Sequence, residues 1–164
     1  RDMKESGAFY TVRGYQILNS ENKLLTPAME DYLEMIYRTC KGDDFIRVKQ
    51  LADRLNVRPS SVTKIVQRLY KLGLVDYQRY GMIRLAVEGR TIGDFLLRRH
   101  RIVEQLLKNL GVEESLLKDT ELIEHDISLS ALKAMYAFNS FWSERPSLKA
   151  DYLNYRLKLK DDWI

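Results

Sequence analysis

The chain has 164 residues, 45% of them hydrophobic and 30% charged, a balance that suits a globular protein with room for one full core or a small domain with another appended. No apolar run approaches the roughly 20 residues that span a bilayer, no secretory signal opens the chain, and a single cysteine, Cys40, excludes an intrachain disulfide, so a cytoplasmic protein is expected. The net charge of +4 hides an asymmetry: residues 45–84 hold nine Lys or Arg against two Asp, a net of +7, which leaves the remainder net acidic.

Residues 1–25 are mixed and polar, with Tyr10, Arg13 and Tyr15 interleaved, and read as an N-terminal extension whose resting place the sequence leaves open. Thr26-Pro27 then opens a helix to about Thr39, with Thr as N-cap and Pro at the first helical position, where a missing N–H costs nothing. Met29, Leu33, Ile36, Tyr37 and Cys40 form its apolar stripe, which makes Cys40 a core residue rather than a ligand. Asp31 and Glu34 stand three apart and share a face. Lys41-Gly42-Asp43-Asp44 is a loop.

Val48, Leu51, Ala52 and Leu55 repeat at helical spacing, Asn56-Val57 makes a tight turn, and Pro59-Ser60-Ser61 starts a second helix with Val62, Ile65, Val66 and Leu69 inward. After Gly73, residues 74–85 alternate as a two-stranded hairpin turned at Tyr80-Gly81. Helix, tight turn, helix and hairpin form a winged helix-turn-helix. The outer surface of its second helix carries Arg58, Ser60, Ser61, Thr63, Lys64 and Gln67, groups that donate to phosphates and base edges, and the wing adds Arg79, Tyr80 and Arg84. Ser60, Ser61 and Thr63 suit phosphates, whereas Arg58 and Gln67 suit bases. The expected partner is double-stranded DNA. A solvated basic face explains the charge alone, but not its coincidence with the turn, the helix start and the wing.

Val87-Glu88-Gly89-Arg90 leads into a helix of about twenty residues ending near Leu110 and Gly111, its stripe Ile92, Phe95, Leu96, Val103, Leu106, Leu107 and Leu110, with His100 at the edge. Residues 111–130 reverse the charge, six acidic residues against Lys118. Within them Glu121, Glu124 and His125 fall on one helical face, and two carboxylates beside an imidazole are metal-ligand chemistry. The competing reading is an acidic solvated helix with an incidental histidine. From Ser128 onward Leu129, Leu132, Met135, Tyr136, Phe138, Phe141 and Trp142, then Leu148, Tyr152, Tyr155 and Leu159 after Pro146, supply more apolar surface than a compact DNA-binding module needs. Part of it is expected to form the interface of a homodimer reading a palindromic operator.

Taken together, Thr26-Pro27-Ala28-Met29-Glu30-Asp31-Tyr32-Leu33-Glu34, Pro59-Ser60-Ser61-Val62-Thr63-Lys64, Arg99-His100 and Glu121-x-x-Glu124-His125 resemble the diphtheria-toxin-repressor family, and within it the manganese-transport-regulator branch, from about Leu25 to Trp142. The resemblance implies a pair of metal ions held by Asp31, Glu34, His100, Glu121, Glu124 and His125. The iron-responsive branch carries sulfur ligands at the positions of Asp31 and Glu121; carboxylates at both suit Mn²⁺, which hard donors and geometry must select. It further implies metal-dependent repression of metal-uptake genes, with Fe²⁺ or Zn²⁺ as the rival ions, and no C-terminal SH3-like domain. Asp126 stands where the resemblance implies a second histidine.

The expected fold is mostly α: an extension (1–25), a winged helix-turn-helix with a small β-ribbon wing (26–88), and a long helix leading into an all-α metal-binding and dimerisation domain (89–164). A dinuclear hydrolase shares the donor types, but the chain shows no HExxH pattern and no obvious nucleophile, and that reading leaves the basic module unexplained. A winged-helix regulator sensing a non-metal signal differs in one respect, that Glu121 and His125 are then dispensable for DNA binding.

Overall fold

The structure is a computed structural model that describes Gly14, residues 25–40 and residues 45–159, with the side chain of Arg79 excepted. The rest of the N-terminal extension, the 41–44 loop and the end of the chain beyond 159 lie outside the described residues. The chain divides into two compact units, Arg1–Arg98 and Arg99–Ile164.

In the first unit, helix α1 (Pro27–Thr39) begins as its sequence dictates: Thr26 Oγ1 accepts the Met29 N–H at 3.3 Å, and Pro27 takes the first helical position. Its inward face is Met29, Tyr32, Leu33 and Ile36, with Cys40 buried just past its end and Tyr37 half-buried. Helix α2 (Val48–Leu55) buries Leu51 and Ala52, and Asn56, in the left-handed conformation at φ 52°, reverses the chain into α3 (Pro59–Lys71). A short polar side chain tolerates that conformation where a β-branched one does not. Val62, Val66 and Leu69 of α3 are fully buried; each contributes about 1.5–3 kcal/mol by leaving water.

The hairpin is β2 (Val75–Gln78) and β3 (Met82–Leu85), joined by a single 3₁₀ turn at Arg79–Gly81 in which Tyr80 and Gly81 are both left-handed, at φ 65° and 70°. The ribbon gains a third strand that the sequence reading did not include. Strand β1 (Ile46–Arg47) pairs antiparallel with β3, Ile46 opposite Ile83 and Arg47 opposite Met82, giving the order β1-β3-β2. Two residues carry no periodicity of their own; the strand exists because Ile46 finds Ile83 and both are buried.

Helix α4 (Val87–Asn109) starts at Val87, earlier than the lead-in expected from sequence, and the boundary between the units falls inside it. Its first turns pack tightly. A Cβ at Gly89 would stand 1.9 Å from the Leu74 carbonyl oxygen, and one at Gly93 2.6 Å from Tyr37 Cβ, so only glycine lets the Leu74 backbone and the Tyr37 side chain approach so closely. Gly14 is buried in the same manner, its Cβ position 2.6 Å from Phe95 Cβ and 3.0 Å from the Thr91 carbonyl. At that point the extension lies against α4.

In the second unit, the remainder of α4 is followed by α5 (Leu116–Glu124), α6 (Leu129–Ser143) and α7 (Pro146–Lys158). Ser128 Oγ caps α6 by accepting the Ala131 N–H at 3.2 Å. Trp142 stacks on Phe138 at 5.0 Å between ring centroids and meets the edge of Tyr152 at 5.4 Å. An amide chain ties α4 to α6: Gln105 donates to Asn109 at 3.0 Å, Asn109 to Asn139 at 2.9 Å, and Asn139 to the Ile102 carbonyl at 2.9 Å. Among the described residues no helix is long and apolar enough to cross a membrane.

Candidate metal centre and nucleic-acid interface

Each unit carries its own share of the expected ligands. In the first, α1 presents Asp31, half-buried, and Glu34, 8% exposed and ion-paired to Arg38 one turn on. Tyr37, a turn beyond Glu34 on the same helix, donates to Asp94 Oδ1 at 2.8 Å and thereby pins α1 to the start of α4. Burial raises the Tyr32 phenol pKa, so this neighbour of Asp31 remains a neutral group and not a ligand anion.

In the second unit, Glu124 is 1% exposed and His100 9%. His100 Nδ1 lies 3.3 Å from Glu124 Oε1 and 3.2 Å from Oε2. A buried carboxylate is costly unless paired, and its partner here is an imidazole, itself a metal-binding group. The donor set fits a divalent cation: a hard anionic oxygen and an imidazole nitrogen within bonding reach of one another, both shielded from water. His125 follows the last residue of α5 but keeps helical dihedrals, φ −71° and ψ −25°, so the i, i+4 relation to Glu121 survives past the helix end. Burial separates the three residues of this motif: Glu124 is buried, His125 half-buried and Glu121 exposed. Helical spacing gave their common face but not which member of it turns inward. Sequence reading named Arg99 only within the motif Arg99-His100 and gave it no role. It is 3% exposed, and its Nη2 donates to His125 Nδ1 at 3.2 Å. Its place beside His100 in the chain was the signal available.

The basic surface is assembled in the first unit. Arg58, Ser60, Ser61, Lys64 and Gln67 are all exposed along the start and outer face of α3. Thr63 differs: it is half-buried, and its hydroxyl donates to the Pro59 carbonyl at 3.1 Å, which turns it back into the helix. In the wing Tyr80 is 89% exposed at the tip and Arg84 is exposed on β3, while the side chain of Arg79 lies outside the description. Arg47, not singled out from sequence, joins them. Its Nη1 donates to the Tyr80 carbonyl at 3.4 Å, and both Arg47 and Arg84 lie over the Phe45 ring, at 5.8 and 6.0 Å from its centroid. The unexpected strand β1 is what carries Arg47 to the wing.

Two family models match the chain, the N-terminal DNA-binding domain of iron-dependent repressors over residues 24–83 and their metal-binding and dimerisation domain over residues 87–151. The HTH-type transcriptional regulator MntR of Geobacillus kaustophilus (strain HTA426) is 44% identical over 108 residues, 65% of this chain and 77% of that protein. MntR of Bacillus subtilis (strain 168) is 37% identical over 136 residues, 82% of this chain and 96% of the relative. The solved structure of the manganese regulator SloR aligns with a TM-score of 0.63 at 28% identity, covering 71% of this chain but only 55% of that one, so the chain spans about half the length of this structural neighbour. With both of its halves matched and one relative covered almost end to end, the chain belongs to the iron-dependent repressor family, in its manganese-regulator branch, and is a metal-responsive DNA-binding transcriptional repressor rather than an enzyme.

Proposed function

We propose that this repressor responds to Mn²⁺ in the cytoplasm, holding two ions per subunit through Asp31, Glu34, His100, Glu121, Glu124 and His125, and that metal binding fixes the dimer on a palindromic operator. The functional division follows residues 26–88 for DNA and 89–164 for metal and dimerisation. The observation that carries the metal reading is the burial of Glu124 against His100, a carboxylate–imidazole pair with no role in a generic helical core. The all-oxygen-and-imidazole donor set favours Mn²⁺ over thiophilic ions, and the names of the relatives point the same way. Once bound, the ions supply positive charge that offsets the mutual repulsion of the carboxylates.

What the chain's own residues do follows from linkage. His100, Glu124 and His125 belong to one unit and Asp31 and Glu34 to the other. A ligand set divided in this way favours the arrangement that brings its members together, and only a difference in metal affinity between arrangements drives the shift. Asp94 holds Tyr37, and with it the ligand face of α1, in register before any ion arrives.

On DNA, Arg58 and Gln67 read bases and Ser60, Ser61 and Lys64 hold phosphates; Thr63 joins them on giving up its bond to Pro59. Arg79, Tyr80, Arg84 and Arg47 form the wing contact. Leu117, Leu122 and Ile123 of α5, with Tyr136 and Phe141 of α6, are exposed apolar groups that supply the dimer interface.

The test is fluorescence anisotropy of a labelled promoter fragment titrated with protein in chelator, Mn²⁺, Fe²⁺ or Zn²⁺, repeated with Glu121→Ala and Glu124→Gln. The expected result is strong promotion by Mn²⁺ that both variants remove. Binding equally tight in chelator refutes the metal mechanism, and stronger promotion by Fe²⁺ reassigns the ion.

A further inference from the structure

In the second unit the ring of His125 is engaged by a group that can only donate. Arg99 is permanently charged, with five N–H donors and no acceptor, so in its 3.2 Å contact with His125 the imidazole Nδ1 must be the acceptor. The Nδ1 lone pair is then engaged, and in the neutral ring the proton sits on Nε2. Neither nitrogen of His125 has a lone pair to offer.

We infer that Arg99 is a latch on His125. This rests on the reading of His125 as a metal ligand. If the ion is taken through Nδ1, it requires the lone pair that Arg99 occupies. If it is taken through Nε2, the ring proton moves to Nδ1, where it faces a group that cannot accept it. Either way the Arg99–His125 hydrogen bond breaks when His125 takes the ion, and the cost of breaking it is subtracted from metal affinity. Burial strengthens the latch: with Arg99 3% exposed the bond is made largely out of water, where it is stronger than the same bond at the surface. A sensor gains from this because its response is set to a higher ion concentration than the ligand set alone would give. Arg99 is a positioning residue here, acting through His125 and never on the ion.

The test is a double-mutant cycle on Mn²⁺ affinity, measured by competition against a fluorescent chelator with the full chain and no DNA present. Arg99→Met keeps length and apolar bulk but cannot donate. It is expected to bind Mn²⁺ roughly tenfold more tightly, the low end of what a charge-assisted hydrogen bond is worth. In a His125→Ala background the same change is expected to do nothing, because the latch has no partner. Equal tightening in both backgrounds means that only charge repulsion was relieved, and overturns the latch, as does no tightening in either. If His125→Ala alone leaves Mn²⁺ binding unaltered, the ligand assignment itself fails and the latch goes with it. Should Arg99→Met not fold, ¹⁵N NMR of the unmutated protein decides. The His125 ring is expected to show an acceptor Nδ1 and a protonated Nε2 in chelator, and loss of the Arg99 contact on adding diamagnetic Zn²⁺. Persistence of that contact with the ion bound on His125 overturns the proposal.

Discussion

Gly93→Ala tests whether α1 is seated on α4 as tightly as the backbone geometry requires. The new Cβ would lie 2.6 Å from Tyr37 Cβ and 2.9 Å from Tyr37 Cγ, where carbon atoms settle at about 3.5–4.0 Å. Neither atom is the free end of a flexible side chain, so α1 must retreat by roughly 1 Å, an overpacking cost of about 1–3 kcal/mol. The retreat pulls Tyr37 Oη from Asp94, now 2.8 Å away, and a hydrogen bond to a charged group is worth about 1.5–3 kcal/mol. Against these stands the helix preference of Ala over Gly, about 1 kcal/mol. The net is a loss of about 1.5–5 kcal/mol, which lowers a urea midpoint by roughly 1–2.5 M at a slope of about 2 kcal/mol per M. Far-UV circular dichroism against urea reads it, with Tyr37→Phe separating the hydrogen bond from the steric term. Because α1 carries Asp31 and Glu34, Mn²⁺ affinity is expected to fall as well. A variant as stable as the parent, or more so, refutes the close approach and leaves only the helix preference acting.

Lys64→Ala is expected to weaken DNA binding similarly across sequences and to reduce the slope of log affinity against log salt by about 1; an unchanged slope removes the phosphate role. Glu124→Gln is expected to abolish the rise in Tm that Mn²⁺ produces, because an amide keeps the shape but not the charge; a retained rise in differential scanning fluorimetry places the ions elsewhere. Thr26→Ala should cost about 1 kcal/mol through loss of the N-cap bond to Met29, seen as a lower urea midpoint, and no loss means that the cap is replaced by water.

The helix-turn-helix was legible because every device in it is local: Thr26-Pro27 and Pro59 start helices, Asn56 turns, and Val62, Val66 and Leu69 repeat at helical spacing. What escaped the sequence depends on partners far along the chain. Strand β1 is defined by residues 82 and 83, and its consequence, Arg47 at the wing, could not be read from Ile46-Arg47 alone. Gly89 read as part of a lead-in to a helix, whereas it lies within it, and both it and Gly93 are set by the backbone and side chain that pass over them. The stretch Glu121-x-x-Glu124-His125 was legible as one helical face, and the inequality within it was not. Glu121 and Glu124 are equivalent on a helical wheel, and only the packing around α5 leaves one in water and buries the other. Arg99 meets His125 across 26 residues, a pairing no spacing rule describes.

The amide chain from Gln105 through Asn109 and Asn139 to the Ile102 carbonyl has a mechanical meaning. Greasy helix faces tolerate small sliding, since one aliphatic contact replaces another at little loss. A run of amides does not: shifting α6 along α4 by a fraction of a turn strands several half-buried donors and acceptors together. The pair behaves as a keyed joint, free to bend but not to slip. His100 sits on α4 two residues before Ile102, in whose carbonyl this joint ends.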